Sequence, residues 1–174
     1  MNRYSGLIGG ALLALGLSSP TMDARAAGST GAGDKARIEA LEQRFADAFN
    51  ARDLDGVMKV YAPGSDLFVF DLTPPRQHVG WNDYREDWRQ LFAAFPGPIH
   101  FSISDLSVAA VGPVGYGHSI QTVNFTRKDG SPLTVVARVT DVYRKIHGRW
   151  YIVEEHVSVP VDLDSGKADL LSKP

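Results

Sequence analysis

The chain of 174 residues has no cysteine, which excludes disulfides, thiolate metal centres and thiol catalysis together. It has no apolar run near the roughly 20 residues that cross a bilayer; the stretch from Leu7 to Leu17 falls well short. It has no excess of basic charge either. Lys and Arg number 18 against 20 Asp and Glu, so nothing recommends nucleic acid as a partner. No glycine-rich phosphate loop and no flavin or haem motif occurs, and no cofactor is expected.

What is present begins with a leader. Arg3 precedes the apolar run, and Ala24-Arg25-Ala26 supplies small residues around a cleavage point. That is the pattern of a secretory signal peptide over residues 1–26. It predicts a periplasmic or secreted protein with no membrane association once the leader is removed. A flexible linker, "AGSTGAG", follows over 27–33, then a domain over 34–162 and a polar tail over 163–174. One core suffices for a domain of that length.

Within the domain, Asp34 can cap a helix whose apolar residues Ile38, Leu41, Phe45, Ala48 and Phe49 recur at helical spacing. Asp53 can cap a shorter helix through Leu54, Val57, Met58 and Tyr61, which Pro63 stops. The run Leu67 to Leu72 suits a strand. A third helix after Gly80 carries Trp81, Tyr84, Trp88, Leu91, Phe92 and Phe95 on one stripe. The period then changes to two. Ile99, Phe101 and Ile103 alternate, but Leu106, Val108 and Ala110 sit on the other parity, so a β-bulge is expected near Ser104 and Asp105. Strands over 117–127, 133–145 and 149–159 are joined by "KDGS" and "HG", both hairpin signals. Three helices followed by a bent antiparallel meander make an α+β domain.

The segments "FADAFNARDLDGVMKVYAP", "DLFVFD", "VGWNDYREDWRQLFAAFPGP" and "ARVTDVYRKIHGRWYIVEEHVSVP" resemble the SnoaL-like family of the nuclear transport factor 2-like superfamily, whose members include ketosteroid isomerase and scytalone dehydratase. The resemblance implies a cone-shaped barrel of a strongly bent, mostly antiparallel sheet packed on three N-terminal helices. It also implies a pocket between sheet and helices, and often a dimer through the outer sheet face. By motif, Asp71 corresponds to the general base of the ketosteroid isomerase branch. Where that branch has a tyrosine donor, this chain has Phe45, which cannot donate a hydrogen bond, so the isomerase activity itself does not carry over.

Period-two counting along Trp150 to Ser158 places Glu154, His156 and Ser158 on the face of Trp150 and Ile152, toward the cavity. His156 is then a catalytic candidate beside Asp71. Arg138, Glu154, His118, Tyr84 and Trp88 are candidates for binding substrate. Each has a bland alternative: Asp71 as a turn cap, His156 as a register-fixing histidine, Arg138 as an ion-pair partner of Glu154, and the aromatic stripe as core. A metal site from His118, Glu154 and His156 lacks a spacing signature, and none is expected. The odd parity, with Val139, Tyr143, Tyr151, Val153 and Val157, predicts a homodimer face.

These readings point to a pocket for a small apolar or carbonyl-containing organic ligand. It would serve cofactor-free acid/base chemistry of isomerase, cyclase or dehydratase type, or else a non-catalytic binding module or dimeric scaffold. The leader carries its own test. Intact-mass measurement of protein from a periplasmic fraction is expected to show a chain starting at Ala27, and a retained segment 1–26 would refute export.

Overall fold

The computed structural model describes residues 24–172. Helix α1 (Ala24–Ala51) is followed by α2 (Leu54–Met58), the short strands β1 (Phe68–Phe70) and β2 (His78–Val79), α3 (Trp81–Ala94), and four long strands: β3 (His100–Val111), β4 (Val114–Thr126), β5 (Pro132–Ile146) and β6 (Arg149–Ser158). The six strands form one mixed sheet in the order β2-β1-β6-β5-β4-β3, antiparallel throughout except for β1 beside β6. The sheet is open, so the barrel expected from the sequence does not close. The leader falls mostly outside the described residues.

Helix α1 begins at Ala24, ten residues before Asp34, and takes in the stretch expected to be a flexible linker. Asp34 therefore does not cap it. Its carboxylate instead accepts from Lys145 Nζ at 2.8 Å and Trp150 Nε1 at 3.2 Å, tying α1 to the β5–β6 hairpin. Asp53 does cap α2, accepting from the Gly56 N–H at 2.9 Å. The polar tail is tied back to the domain: Ala168 bridges Val161, and the Leu170 carbonyl accepts from the Val136 N–H.

Two irregularities bend the sheet. In β3 the register slips between Ser104 and Ser107, with Asp105 at φ 53°, as the change of apolar parity predicts. The second lies in β6 and was not foreseen. Tyr143 pairs with Ile152, but Val142 pairs with Glu154, so Val153 is an extra residue. The hairpin turn at His147 and Gly148 is as expected, both residues having positive φ. Beyond Val153, however, every partner is displaced by one, and Arg138 faces Ser158 rather than Val157.

That single residue reverses the two faces of the outer half of β6. Trp150 and Ile152 point inward, and so do Glu155 and Val157, while Glu154 and His156 are exposed on the opposite side. On β5 the inward set is Val135, Ala137, Val139, Asp141 and Tyr143, whereas Arg138 and Thr140 are exposed. Val139 and Tyr143 are thus core residues, 1% and 0% exposed, and Val157 lines the inner cavity, so the stripe expected to form a homodimer face is split, with only Tyr151 and Val153 left half-buried outside the core.

The core is an aromatic sandwich between α1, α3 and the sheet. Phe45 meets Trp88 and Phe101 edge-on at ring-centroid separations of 5.7 and 5.4 Å, and Phe49 meets Trp88 at 4.9 Å. Gly115 and Gly117 on β4 leave room beneath them: a Cβ at Gly115 would lie 2.7 Å from Ile38 Cδ1, and one at Gly117 3.2 Å from the Tyr143 hydroxyl. This reversal of faces can be tested through stability. His156→Ala is expected to change unfolding free energy by no more than about 0.5 kcal/mol, whereas Ile152→Ala, three pairs nearer the turn and buried, should cost about 2–5 kcal/mol. Urea denaturation of both variants measures the contrast.

Candidate functional site

A cavity of about 200 Å³ opens between α1, α3 and the inner sheet face. Phe45, Phe49, Trp88, Leu91, Phe101 and Val135 contribute to its apolar wall. Its ionisable lining residues among those described are Asp71, Tyr84, Asp87 and Glu155. Of the candidates named from sequence, Asp71, Tyr84 and Trp88 line this cavity. Arg138, Glu154, His118 and His156 do not.

Those four share the opposite face of the sheet, where β4, β5, β6 and β1 align His118, Thr140, His156 and Phe70 in one row. His156 packs there edge-on to Phe70, with ring centroids 5.5 Å apart. Two causes separate them from the cavity: the extra residue at Val153 turns Glu154 and His156 outward, and on β5 it is the odd residues that face the helices. The metal-binding combination of His118, Glu154 and His156 also lies on that outer face, away from the cavity.

Glu155 takes the place that counting gave to its neighbours. It is 4% exposed, and its two oxygens accept from Tyr84 Oη at 2.9 Å and Tyr61 Oη at 3.0 Å. The Tyr84 hydroxyl also lies 3.4 Å from Asp71 Oδ2, so one phenol sits between a carboxyl at the mouth and another at the floor. Burial pushes Glu155 up to about 8, helped by the charge of Asp71 and opposed by the two tyrosine hydrogen bonds. Asp71 and Asp87 are also raised, each chiefly by burial, and Asp87 further by Asp71.

Behind the floor the acids continue. Asp141 stands opposite Glu155 across the β5–β6 ladder, and its carboxyl is raised well above the usual range by burial and by the charges of Glu155 and Glu42. Tyr143 Oη lies 2.9 Å from Glu42 Oε1 and 3.4 Å from Asp141 Oδ2. Burial lifts Glu42 to about 7, against the pull of its Tyr143 hydrogen bond. Glu42, Asp141 and Glu155 have no Lys or Arg partner among the described residues. Such a chain holds together by sharing protons.

The mouth carries one further group. His78 on β2 is 3% exposed, with Nδ1 3.3 Å from Asp83 Oδ2 and Nε2 3.7 Å from Asp87 Oδ1. Sequence reasoning missed His78, Asp87 and Glu155. His78 lies in a two-residue strand with no periodicity to read. Asp87 did leave a signal, since it follows Tyr84 by three residues and so borders the apolar stripe of α3.

The family model for the SnoaL-like domain matches residues 38–162. The chain belongs to this family. Its fold is that of the nuclear transport factor 2-like superfamily. An NTF2-like protein of unknown function from Pseudomonas putida KT2440 is 28% identical over 82% of this chain and 98% of its own, with a TM-score of 0.74. An NTF2-like superfamily protein from Salmonella enterica serovar Typhimurium LT2 is 16% identical, covering 79% and 99%, with a TM-score of 0.69. A ketosteroid isomerase-like protein from Erwinia carotovora atroseptica is 21% identical, covering 72% and 95%, with a TM-score of 0.62. No curated protein matches the chain.

The buried acids make stability depend on pH in a stated direction. A carboxyl whose folded pKa exceeds its unfolded value binds more protons in the native state, so its contribution is complete below the unfolded value and is lost as pH rises through the folded one. For Glu42 the window runs from 4.5 to about 7, and for Glu155 from 4.5 to about 8. Stability measured by urea unfolding is expected to fall between pH 5 and pH 8.5, by on the order of 3 kcal/mol from Glu42 alone. Glu42→Gln should remove that share of the slope, and an unchanged slope would contradict it.

Proposed function

We propose that this SnoaL-like domain is an exported, cofactor-free catalyst of proton transfer on a small, apolar, carbonyl-containing molecule. The supporting observation is the relay of Asp71, Tyr84 and Glu155 in an otherwise apolar cavity. A volume of about 200 Å³ is below the roughly 300–1,000 Å³ of drug-sized sites and suits a compact ligand. Asp71, at the mouth, is the base. Its raised affinity for protons makes it a stronger base than an ordinary carboxylate, while its partial exposure lets it ionise.

Glu155 has the complementary role. Held up to about 8, it is mainly neutral at pH 7, and a neutral acid in an apolar site can return a proton or stabilise a developing enolate. Tyr84 links the two, because its single hydroxyl proton can serve either carboxyl. A proton taken from one carbon by Asp71 and returned at another gives isomerisation, and returned to a departing hydroxyl it gives dehydration. Phe45 offers no hydrogen-bond donor to the cavity, which leaves Tyr84 and Glu155 to supply them.

The test is exchange of α-protons of a compact cyclic enone in D2O, followed by NMR. Asp71→Asn is expected to slow exchange by about 10²–10⁴-fold with binding of the enone retained. Exchange that continues undiminished in Asp71→Asn while the enone still occupies the cavity would refute the assignment.

A further inference from the structure

Three donors from three elements meet at the mouth of the cavity: the Asp71 carboxylate just after β1, the His78 imidazole on β2 and the Asp87 carboxylate on α3. One ligand atom of each lies within 4.8 Å of the others. We propose that Asp71, His78 and Asp87 form a binding site for one divalent transition-metal cation, of the kind that accepts mixed imidazole and carboxylate donors, such as Zn²⁺ or Mn²⁺. The inference stands apart from the proposed proton transfer, because it concerns binding of the ion alone.

The histidine carries the argument. Its side chain is 4% exposed, yet neither Nδ1 nor Nε2 makes an aligned hydrogen bond. A buried imidazole with both nitrogens unpartnered is a costly arrangement that a cation would relieve. The two ring nitrogens also face different surroundings. Nδ1 lies 3.3 Å from Asp83 Oδ2, which is itself held by the Val79 N–H at 3.0 Å. Nε2 points to Asp87 Oδ1 at 3.7 Å. In a metal-ligating histidine one nitrogen gives its proton to an outer carboxylate and the other meets the ion; a small rotation of the His78 ring would align Nδ1 with Asp83 and leave Nε2 for the cation.

Distance and charge agree. Donors about 2.0–2.2 Å from a tetrahedral ion stand roughly 3.4 Å apart, so the His78–Asp87 pair needs only a small adjustment, and Asp71, whose carboxylate now accepts from the Leu72 N–H and the Tyr84 hydroxyl, supplies the third donor within 4.8 Å. No Lys or Arg among the described residues pairs with Asp71, Asp83 or Asp87. Three protein donors leave a coordination position open toward the cavity. Asp71 cannot coordinate an ion and act as a base at once, so an occupied site withdraws it from proton transfer.

Calorimetric titration of the chelator-treated protein with Zn²⁺ and with Mn²⁺, without substrate, tests the site. Visible absorption of added Co²⁺ gives an independent signature of coordination. One ion per chain is expected for at least one metal, with binding weakened about tenfold or more in Asp87→Asn and in His78→Gln, and about tenfold in Asp83→Asn. His156→Ala, which removes an exposed histidine from the other sheet face, should bind as the parent does. Asp87 is partly exposed, so its isosteric change keeps the test valid if His78→Gln fails to fold. Absence of stoichiometric binding, undiminished affinity in Asp87→Asn, or loss in His156→Ala would overturn the site. His78 would then be a structural histidine held between Asp83 and Asp87. Because no turnover is read, this result is independent of the effect of Asp71→Asn on enone exchange.

Discussion

A carboxyl group taken out of water without a cation must keep its proton or find donors, and Glu155 does some of both. Its burial demands Tyr61 and Tyr84 at hydrogen-bonding distance, and those two rings pack against each other at 5.1 Å. Their positions in turn fix the end of α2 and the face that α3 presents to the sheet. The same demand recurs one strand over, where Asp141 depends on Tyr143 and through it on Glu42 of α1. The polar spine of the interior therefore joins all the layers. Replacing it with hydrocarbon would relieve a desolvation cost, so its presence is better understood through what it does to protons than through what it adds to stability.

Aromatic packing confines that spine. Phe45, Phe49, Trp88 and Phe101 meet largely edge-to-face, which fills space densely and leaves few polar atoms to compete for the cavity. Tyr84 belongs to both systems: its ring is part of the α3 stripe and, among the described residues, its hydroxyl links Asp71 to Glu155. An apolar enclosure with a short polar line through it strengthens every charge placed there, and this is why the acids at the mouth and floor depart in the same direction from ordinary values.

Much of this architecture is written in local pattern. The α3 stripe, the "RDLDG" cap, the "HG" turn and the slip of parity at Leu106 each have a physical signature within a few residues, and each is found. The inner face of β6 was misread although its signature was of the same kind. Apolar residues fall at Trp150 and Ile152, then at Val153 and Val157, a change of parity like that in β3. Because Glu154, Glu155 and His156 are all polar, either parity offered a plausible site, and strict alternation chose the wrong one. The chemistry at His78 was beyond reach for a different reason. Its neighbours come from β1 and α3, and nothing in "RQHVGW" indicates which side chains the fold brings beside it.

The extra residue in β6 has a consequence for how the strand tolerates change in length. Elsewhere in a sheet, losing one residue exchanges the two faces beyond it. At Val153 the chain already holds one residue more than its partner strand requires, so a deletion there would restore regular pairing and leave Glu155 pointing inward. Two homologous chains could thus differ in length at this point and keep the same acid in the cavity, and counting from the β5–β6 turn would then assign that acid two different numbers.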